Sequence, residues 1–299
     1  MNPASRASSA EPHDGSVLGW LLLLGPGTIW GASFLFIAEG LRAIGPFGVT
    51  FFRILVGFAT LGLVPAARRR VPREAWGWIA LLGVIWLAFP LNMFPFAEQR
   101  ISSALTGMLN GATPISVAFV ASVLARRPPS RAIALGLAVG AVGTVLVGLP
   151  AVHQGGSSAA GVAMVLAAIV SYGLSYNLAR PLQQRYGALP VIWRAQALAL
   201  VLTAPLGLPD LLAARWTPGP LLSLLALGAL GTGVAYALAA MAAGRLGATK
   251  ASATIYLIPP VSLALGIVVR GERVAILSVV GAAICLAGAW LVRRGQAHR

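Results

Sequence analysis

The uncharged run from Ser103 to Leu124 is long enough to cross a bilayer, is broken near its middle by Pro114, and carries a single polar stripe. On a helix, Ser103, Thr106, Asn110, Thr113 and Val117 follow one another by three and four residues, so the small and polar groups share one face. Hydrocarbon offers such a face no hydrogen bonds, so it must look into protein or into a cavity. A second stretch, Thr249 to Val269, repeats the design: T-P-I-S-V-A at 113–118 matches P-P-V-S-L-A at 259–264. The same offset puts Thr249, Ser252, Tyr256 and Pro259 on the equivalent face. Two Pro-broken helices, each with one polar stripe, describe a pathway at the junction of two halves.

Segments of roughly 20 residues, the length a helix needs to cross about 30 Å of hydrocarbon, lie at about 17–38, 46–67, 75–96, 102–124, 131–150, 159–179, 190–211, 218–240, 248–269 and 274–292. The sequence thus predicts an all-α integral membrane protein of ten transmembrane helices. Its 10% of charged residues, against roughly 25% in soluble domains, excludes an ordinary soluble protein, and the short connections leave no room for a soluble catalytic domain. The net charge of +15 is explained by loop distribution. Alternating the loops from an inside N-terminus puts fifteen basic residues on one side and only Arg42, Arg100, Arg215, Arg270 and Arg273 on the other. The positive-inside rule then places both termini in the cytoplasm, and nucleic acid is not an expected partner.

Cys285 is the single cysteine, which excludes an intrachain disulfide and a thiolate metal cluster. His13, His153 and His298 fall in tails or a loop, so none is placed for a proton relay in mid-membrane. G-x-S-x at Gly31 to Phe34 suggests an intramembrane serine protease, but no intramembrane histidine is available to activate Ser33. No P-loop pattern is present, so ATP is not expected to drive the protein.

The second half restarts the first. S-Y-G-L-S-Y in the sixth segment aligns with W-G-A-S-F in the first, Gly173 on Gly31, Ser175 on Ser33 and Tyr176 on Phe34. Gly281 and Gly288 repeat the spacing of Gly136 and Gly143, whose small-residue face suits close helix packing. Because five is odd, two directly joined five-helix repeats must be inverted in the membrane. The expected organisation is a disordered cytoplasmic tail over 1–16, a first repeat over 17–150, a linker over 151–158, a second repeat over 159–294 and a short cytoplasmic tail over 295–299. Arg53, two turns into the second segment, has a counterpart in Arg194. That recurrence favours a structural role, snorkelling or bonding to carbonyls of a broken neighbour, with a handle for a substrate carboxylate as the alternative.

W-G-A-S-F, Arg53, T-P-I-S, and P-P followed by G-E-R at Gly271 to Arg273 resemble the EamA-type drug/metabolite transporters, a similarity covering about residues 18–293. The resemblance implies two inverted five-helix repeats around a central cavity and export of small metabolites. Within the family the pattern is similar to bacterial amino-acid exporters that handle aromatic and other neutral amino acids. One departure stands out: Glu272 follows the second-half prolines, whereas the corresponding first-half position is Arg126.

The residues expected to bind substrate are Trp86, Thr106, Asn110, Thr113, Tyr176, Ser252 and Tyr256, with Trp30, Tyr172 and Tyr236 behind them. Amides and hydroxyls suit the ammonium and carboxylate of an amino acid, and aromatic faces accept apolar side chains. The acidic residues Glu39, Glu98, Asp210 and Glu272 fall near helix ends, so no central fixed charge is expected. Facilitated movement is the economical mechanism, with proton antiport through Glu98 or Asp210 as its competitor and a non-transporting scaffold as a further alternative. Pro114 and Pro260 are the expected hinges, since proline removes helix hydrogen bonds. The reading is completed by a bacterial inner-membrane location, a monomer contacting membrane lipid and a small-molecule substrate, and no cofactor or metal.

Overall fold

The computed structural model describes residues 17–126, 128–154, 156–246 and 252–297; of residues 244, 246, 252, 253, 296 and 297 only the backbone is described. The expected tail over 1–16, Thr249 of the second stripe and the last two residues lie outside the described residues.

Among the described residues the secondary structure is helical throughout. Eight helices are long and apolar enough to cross a membrane: α1 (Val17–Gly40), α3 (Arg73–Glu98), α4 (Ser103–Leu124), α5 (Arg131–His153), α6 (Gly156–Tyr186), α7 (Ala188–Leu212), α8 (Pro218–Ala243) and α10 (Ile276–Gly295). Two shorter apolar helices, α2 (Pro46–Gly62) and α9 (Thr254–Arg270), complete two sets of five. An even number of crossings returns the chain to the side on which it began, called here the terminal side.

The packing obeys a two-fold relation between the halves. The first helix of each half packs on the fourth of the other, α1 on α9 and α6 on α4, and the second of each packs on the third of the other, α2 on α8 and α7 on α3. The fifth helices, α5 and α10, pack on each other. Glycine makes the closest of these approaches possible. A β-carbon on Gly31 would stand 2.7 Å from Val261 of α9, and the paired Gly173 is equally crowded by Ser116 of α4. Ser33 and Ser175 are both buried and return their hydroxyls to the carbonyls of Ile29 and Tyr172 on their own helices. The repeat seen in the sequence is therefore the pattern of interhelix packing.

Two pairs of helices are irregular, and each irregularity has a chemical cause. In α4 the helix Ser103–Asn110 stops, Gly111 and Ala112 turn, and Thr113–Leu124 resumes with Pro114 in its first turn. Proline has no N–H for the Asn110 carbonyl, and the Thr113 hydroxyl takes that acceptor at 2.7 Å. A 3₁₀ turn, Ser252–Leu257, leads into and opens α9 ahead of its α-helical part Ile258–Arg270, with Pro259 and Pro260 in the first turn of that part. The third helix of each half contains a π-helical segment, Gly83–Ala88 in α3 and Leu227–Val234 in α8. Pro90 accounts for the first, because it cannot donate back to Trp86. The second is a glycine-rich run, L-G-A-L-G-T-G-V. Widened turns of this kind expose backbone acceptors and recur at functional sites. Here the carbonyl of Gly231 takes the indole N–H of Trp30 at 3.0 Å, and Thr232 takes Gln196 Nε2 on its carbonyl at 2.7 Å.

Candidate functional site

The irregular segments of α3, α4, α8 and α9 converge on two adjoining chambers between the halves. The wider, ≈ 350 Å³, is lined by Trp86, Pro114, Tyr176, Tyr236, Thr254 and Tyr256, and by Ala240, Ala243 and Arg293 near the ends of α8 and α10, so it reaches the terminal side. The narrower, ≈ 60 Å³, lies deeper and is lined by Ser33, Phe34, Arg53, Phe94, Asn110, Thr113 and Tyr172. Trp30, Tyr176, Tyr236 and Ile255 contribute to both walls and form a waist between them. The waist is held by ring contacts: Trp30 with Tyr236 at 5.6 Å, Trp86 with Tyr176 at 5.5 Å and Trp86 with Tyr236 at 5.8 Å, all edge-on. Edge-to-face packing is the favoured arrangement of such rings, and it fixes the aperture without filling it.

Of the residues expected to bind substrate, Trp86, Tyr176 and Tyr256 line the wider chamber and Asn110, Thr113 and again Tyr176 the narrower. Tyr256 donates its hydroxyl to the Ala289 carbonyl at 2.9 Å, so its ring is anchored to α10 and only its face is free. Thr113 is committed to Asn110, whose side-chain amide nitrogen makes no bond to protein among the described residues. Thr106 is not part of either wall. It is buried one turn above the break, and its hydroxyl is consumed by the Ser102 carbonyl at 3.0 Å. Ser252 opens the 3₁₀ turn of α9, and its side chain is outside the described residues. Trp30, Tyr172 and Tyr236, held in reserve from the sequence, are central to the waist.

Of the roles expected for Arg53, the structure shows a bond to an irregular neighbouring helix, made to a hydroxyl and not to a carbonyl. Arg53 does not snorkel: the residue is 5% exposed, and its Nε donates to the Thr232 hydroxyl in the π-helical segment of α8 at 3.1 Å. Its wall position puts a fixed positive charge in the centre of the molecule, where the sequence suggests none. Its counterpart Arg194 behaves differently, donating to the Pro190 carbonyl at 3.1 Å and lying against Trp193 at 5.8 Å. The signal available in the sequence was depth in the helix, but Arg53 and Arg194 are equally deep. Only the neighbours distinguish them.

The side away from the termini is closed over the chambers. Phe34 meets Phe94 at 5.5 Å and Phe47 meets Phe96 at 4.9 Å. Arg270 at the end of α9 bridges Glu39 of α1 at 2.6 Å and Glu272 at 3.2 Å. Asp210 accepts the N–H of Gly48 at 3.0 Å and so caps α2. Glu98 differs from these acids: both its carboxyl oxygens are buried without a hydrogen-bond partner, beside a separate cavity of ≈ 390 Å³.

Comparison with known proteins agrees with this architecture. The EamA-like transporter family matches residues 17–149 and again 159–294. A probable terminal-alkyne amino-acid exporter of Streptantibioticus cattleyicolor is 28% identical over 92% of this chain and 93% of its own length. A WAT1-related chloroplastic protein of Arabidopsis thaliana is 26% identical over 93% of this chain and 70% of its own, and an uncharacterized transporter of Bacillus subtilis 25% identical over 87% and 86%. A protein of known crystal structure, 19% identical, superposes with a TM-score of 0.62 over 91% of this chain and 94% of that one, which bears on the fold alone. With both halves matched separately and two five-helix sets packed about a two-fold relation, the chain belongs to the EamA-like transporter family.

Proposed function

We propose that the protein exports small metabolites, with neutral and aromatic amino acids as the substrate class, across a bacterial inner membrane by alternating access of its two inverted repeats. The observation that carries this reading is the aromatic chamber between the halves, reached from the terminal side and closed at the other. Its ≈ 350 Å³ suits a molecule the size of an amino acid, within the lower range of small-molecule sites. The positive-inside rule puts the terminal side in the cytoplasm, so the chamber accepts cargo from the compartment in which metabolites accumulate. The relative named as an amino-acid exporter supports the substrate class.

In this reading the repeats are the moving bodies, 17–150 and 159–294, joined through 151–158. The breaks at Pro114 and at Pro260 are where helix halves swing, since backbone hydrogen bonds are already missing there. The protein works as a monomer in lipid and moves cargo down its gradient. Proton antiport is kept as a second reading by one observation, the unpartnered carboxyl of Glu98; Asp210 is already engaged as a helix cap.

The test is uptake of radiolabelled neutral amino acids into liposomes containing the purified protein, with Asn110→Ala and Tyr256→Phe or Tyr256→Ala alongside. Saturable flux, lost in Asn110→Ala and Tyr256→Ala while the folded fraction is unchanged, is the expected result. Absence of flux across a broad amino-acid panel would overturn the substrate class.

A further inference from the structure

Arg53 is a buried cation with no carboxylate in ion-pair contact among the described residues. Among those residues its polar contact is the single bond from Nε to the Thr232 hydroxyl. A guanidinium has five N–H donors in a planar fork, so four of them, on the two terminal nitrogens, have no acceptor among the described residues. The Arg53 side chain lines the narrower chamber. Glu98 at the end of α3 acts on Arg53 through space without pairing with it, and Glu272 after α9 is already engaged by Arg270, Ser103 and Ala104.

The surroundings position this fork. Thr232 fixes Arg53 from one side, and Thr232 is itself fixed by Gln196, a fully buried amide that donates to its carbonyl. The wall of the same small chamber also holds the side-chain amide nitrogen of Asn110, which has no protein acceptor among the described residues, and Ser33, whose hydroxyl donates to the Ile29 carbonyl. That chamber, at ≈ 60 Å³, is far below the roughly 300 Å³ at which sites for whole small molecules begin. It is too small for a whole metabolite and fits a single planar anionic head group. The remainder of such a ligand would pass the waist of Trp30 and Tyr236 into the wider aromatic chamber.

We infer that Arg53 is the carboxylate-recognition subsite of the transport cavity, so that the substrates are carboxylates bound head-first, with the acid group on the terminal nitrogens of Arg53 and the apolar part among Trp86, Tyr176 and Tyr256. The fork geometry matches a carboxylate through two parallel N–H···O bonds. The divergence from Arg194 fits the same account: a ligand with one acid group needs one unsatisfied arginine, and the second copy is consumed by backbone carbonyls. The inference rests on the proposed transport through this cavity but not on the substrate being an amino acid.

The experiment compares four ligands of one shape in counterflow and in binding measured by tryptophan fluorescence: phenylalanine, 3-phenylpropionate, phenylalaninamide and 2-phenylethylamine. Wild type is expected to favour the two acids by tenfold or more. Arg53→Gln should weaken acid binding at least tenfold and bring acids and amides level, while Arg53→Lys, keeping the charge without the fork, should retain part of the preference. Thermal unfolding is recorded for each variant, and if Arg53→Gln does not fold, the wild-type ratio and Arg53→Lys decide. Acids and amides handled equally by wild type, no binding anywhere in the panel, or a preference for acids that survives Arg53→Gln would each overturn the subsite. Arg53-dependent handling of 3-phenylpropionate without any amino-acid flux would overturn the amino-acid reading and leave the subsite standing.

Discussion

The carboxylate of Glu272 accepts the hydroxyl of Ser103 at 2.7 Å and the backbone N–H groups of Ser103 and Ala104 at 3.1 and 2.8 Å, joining residues 169 positions apart in the chain. Glu272 follows α9, so its side chain serves as an N-terminal cap for α4 supplied by the other half. The first-half position, Arg126, supplies nothing comparable, which resolves the asymmetry in the motif: the glutamate caps once, on the side away from the termini.

Removing that cap should both destabilise the protein and loosen the closed side. Replacing an N-cap acceptor costs about 1–2 kcal/mol, and the carboxylate here is only 11% exposed. Glu272→Ala is expected to lower the unfolding temperature by several degrees and to increase labelling of a cysteine introduced at Gln99, in the cavity beside Glu98. Unchanged labelling with the destabilisation present would mean that the cap supports the fold but does not hold that side shut.

The α5–α10 seam should tolerate no side chain. A β-carbon on Gly143 would lie 2.7 Å from the Gly281 carbonyl oxygen, and one on Gly281 would lie 2.8 Å from the Gly143 carbonyl oxygen. Backbone stands at both contacts, so neither helix can yield by a side-chain rotation. Gly281→Leu is expected to abolish monodisperse protein after detergent extraction. Gly77→Ala, where nothing lies within 4 Å, should extract and elute like wild type.

Each broken helix ends on a left-handed residue, Arg126 after α4 with φ +50 and Gly271 after α9 with φ +63. For a residue with a β-carbon this conformation costs roughly 1–2 kcal/mol, and glycine avoids it. Arg126→Gly should therefore raise the unfolding temperature, and Gly271→Ala should lower it by a similar amount. Differential scanning fluorimetry in one detergent reads both. Opposite signs in a matched pair are hard to produce by any non-specific effect.

The helices and the repeat were legible because hydrocarbon requires backbone to be satisfied within each segment and the two halves share small residues at matching positions, whereas which helix packs on which is set by tertiary contacts. Gly31 and Gly173, like Gly136, Gly143, Gly281 and Gly288, were visible as recurring spacing, and each sits at a close interhelix approach. The site was less legible. Thr106 shares a stripe with Asn110, but stripe membership cannot say that its hydroxyl is spent on Ser102. The π-helical segments are decided by tertiary packing as much as by Pro90, and they set where Thr232 meets Arg53. An arginine equally deep in each half reads as symmetric until the acceptors around each are known.

Coupling can be settled at Glu98. Both oxygens of Glu98 are buried without a hydrogen-bond partner, where only the neutral carboxyl is cheap to hold, and a neutral amide of the same shape avoids the cost of ionisation altogether. Glu98→Gln should accordingly unfold at the same temperature as wild type or above it. If cargo moves by facilitation, the variant also transports at the wild-type rate, and an internal pH dye in the liposomes reports no change when substrate is added to either protein. Proton antiport gives a different pair of results: substrate-linked pH change in wild type, abolished in Glu98→Gln while binding of substrate persists. The stability measurement matters to the interpretation, because a variant that folds well and yet loses only the proton movement assigns the proton to this carboxyl and not to the fold around it.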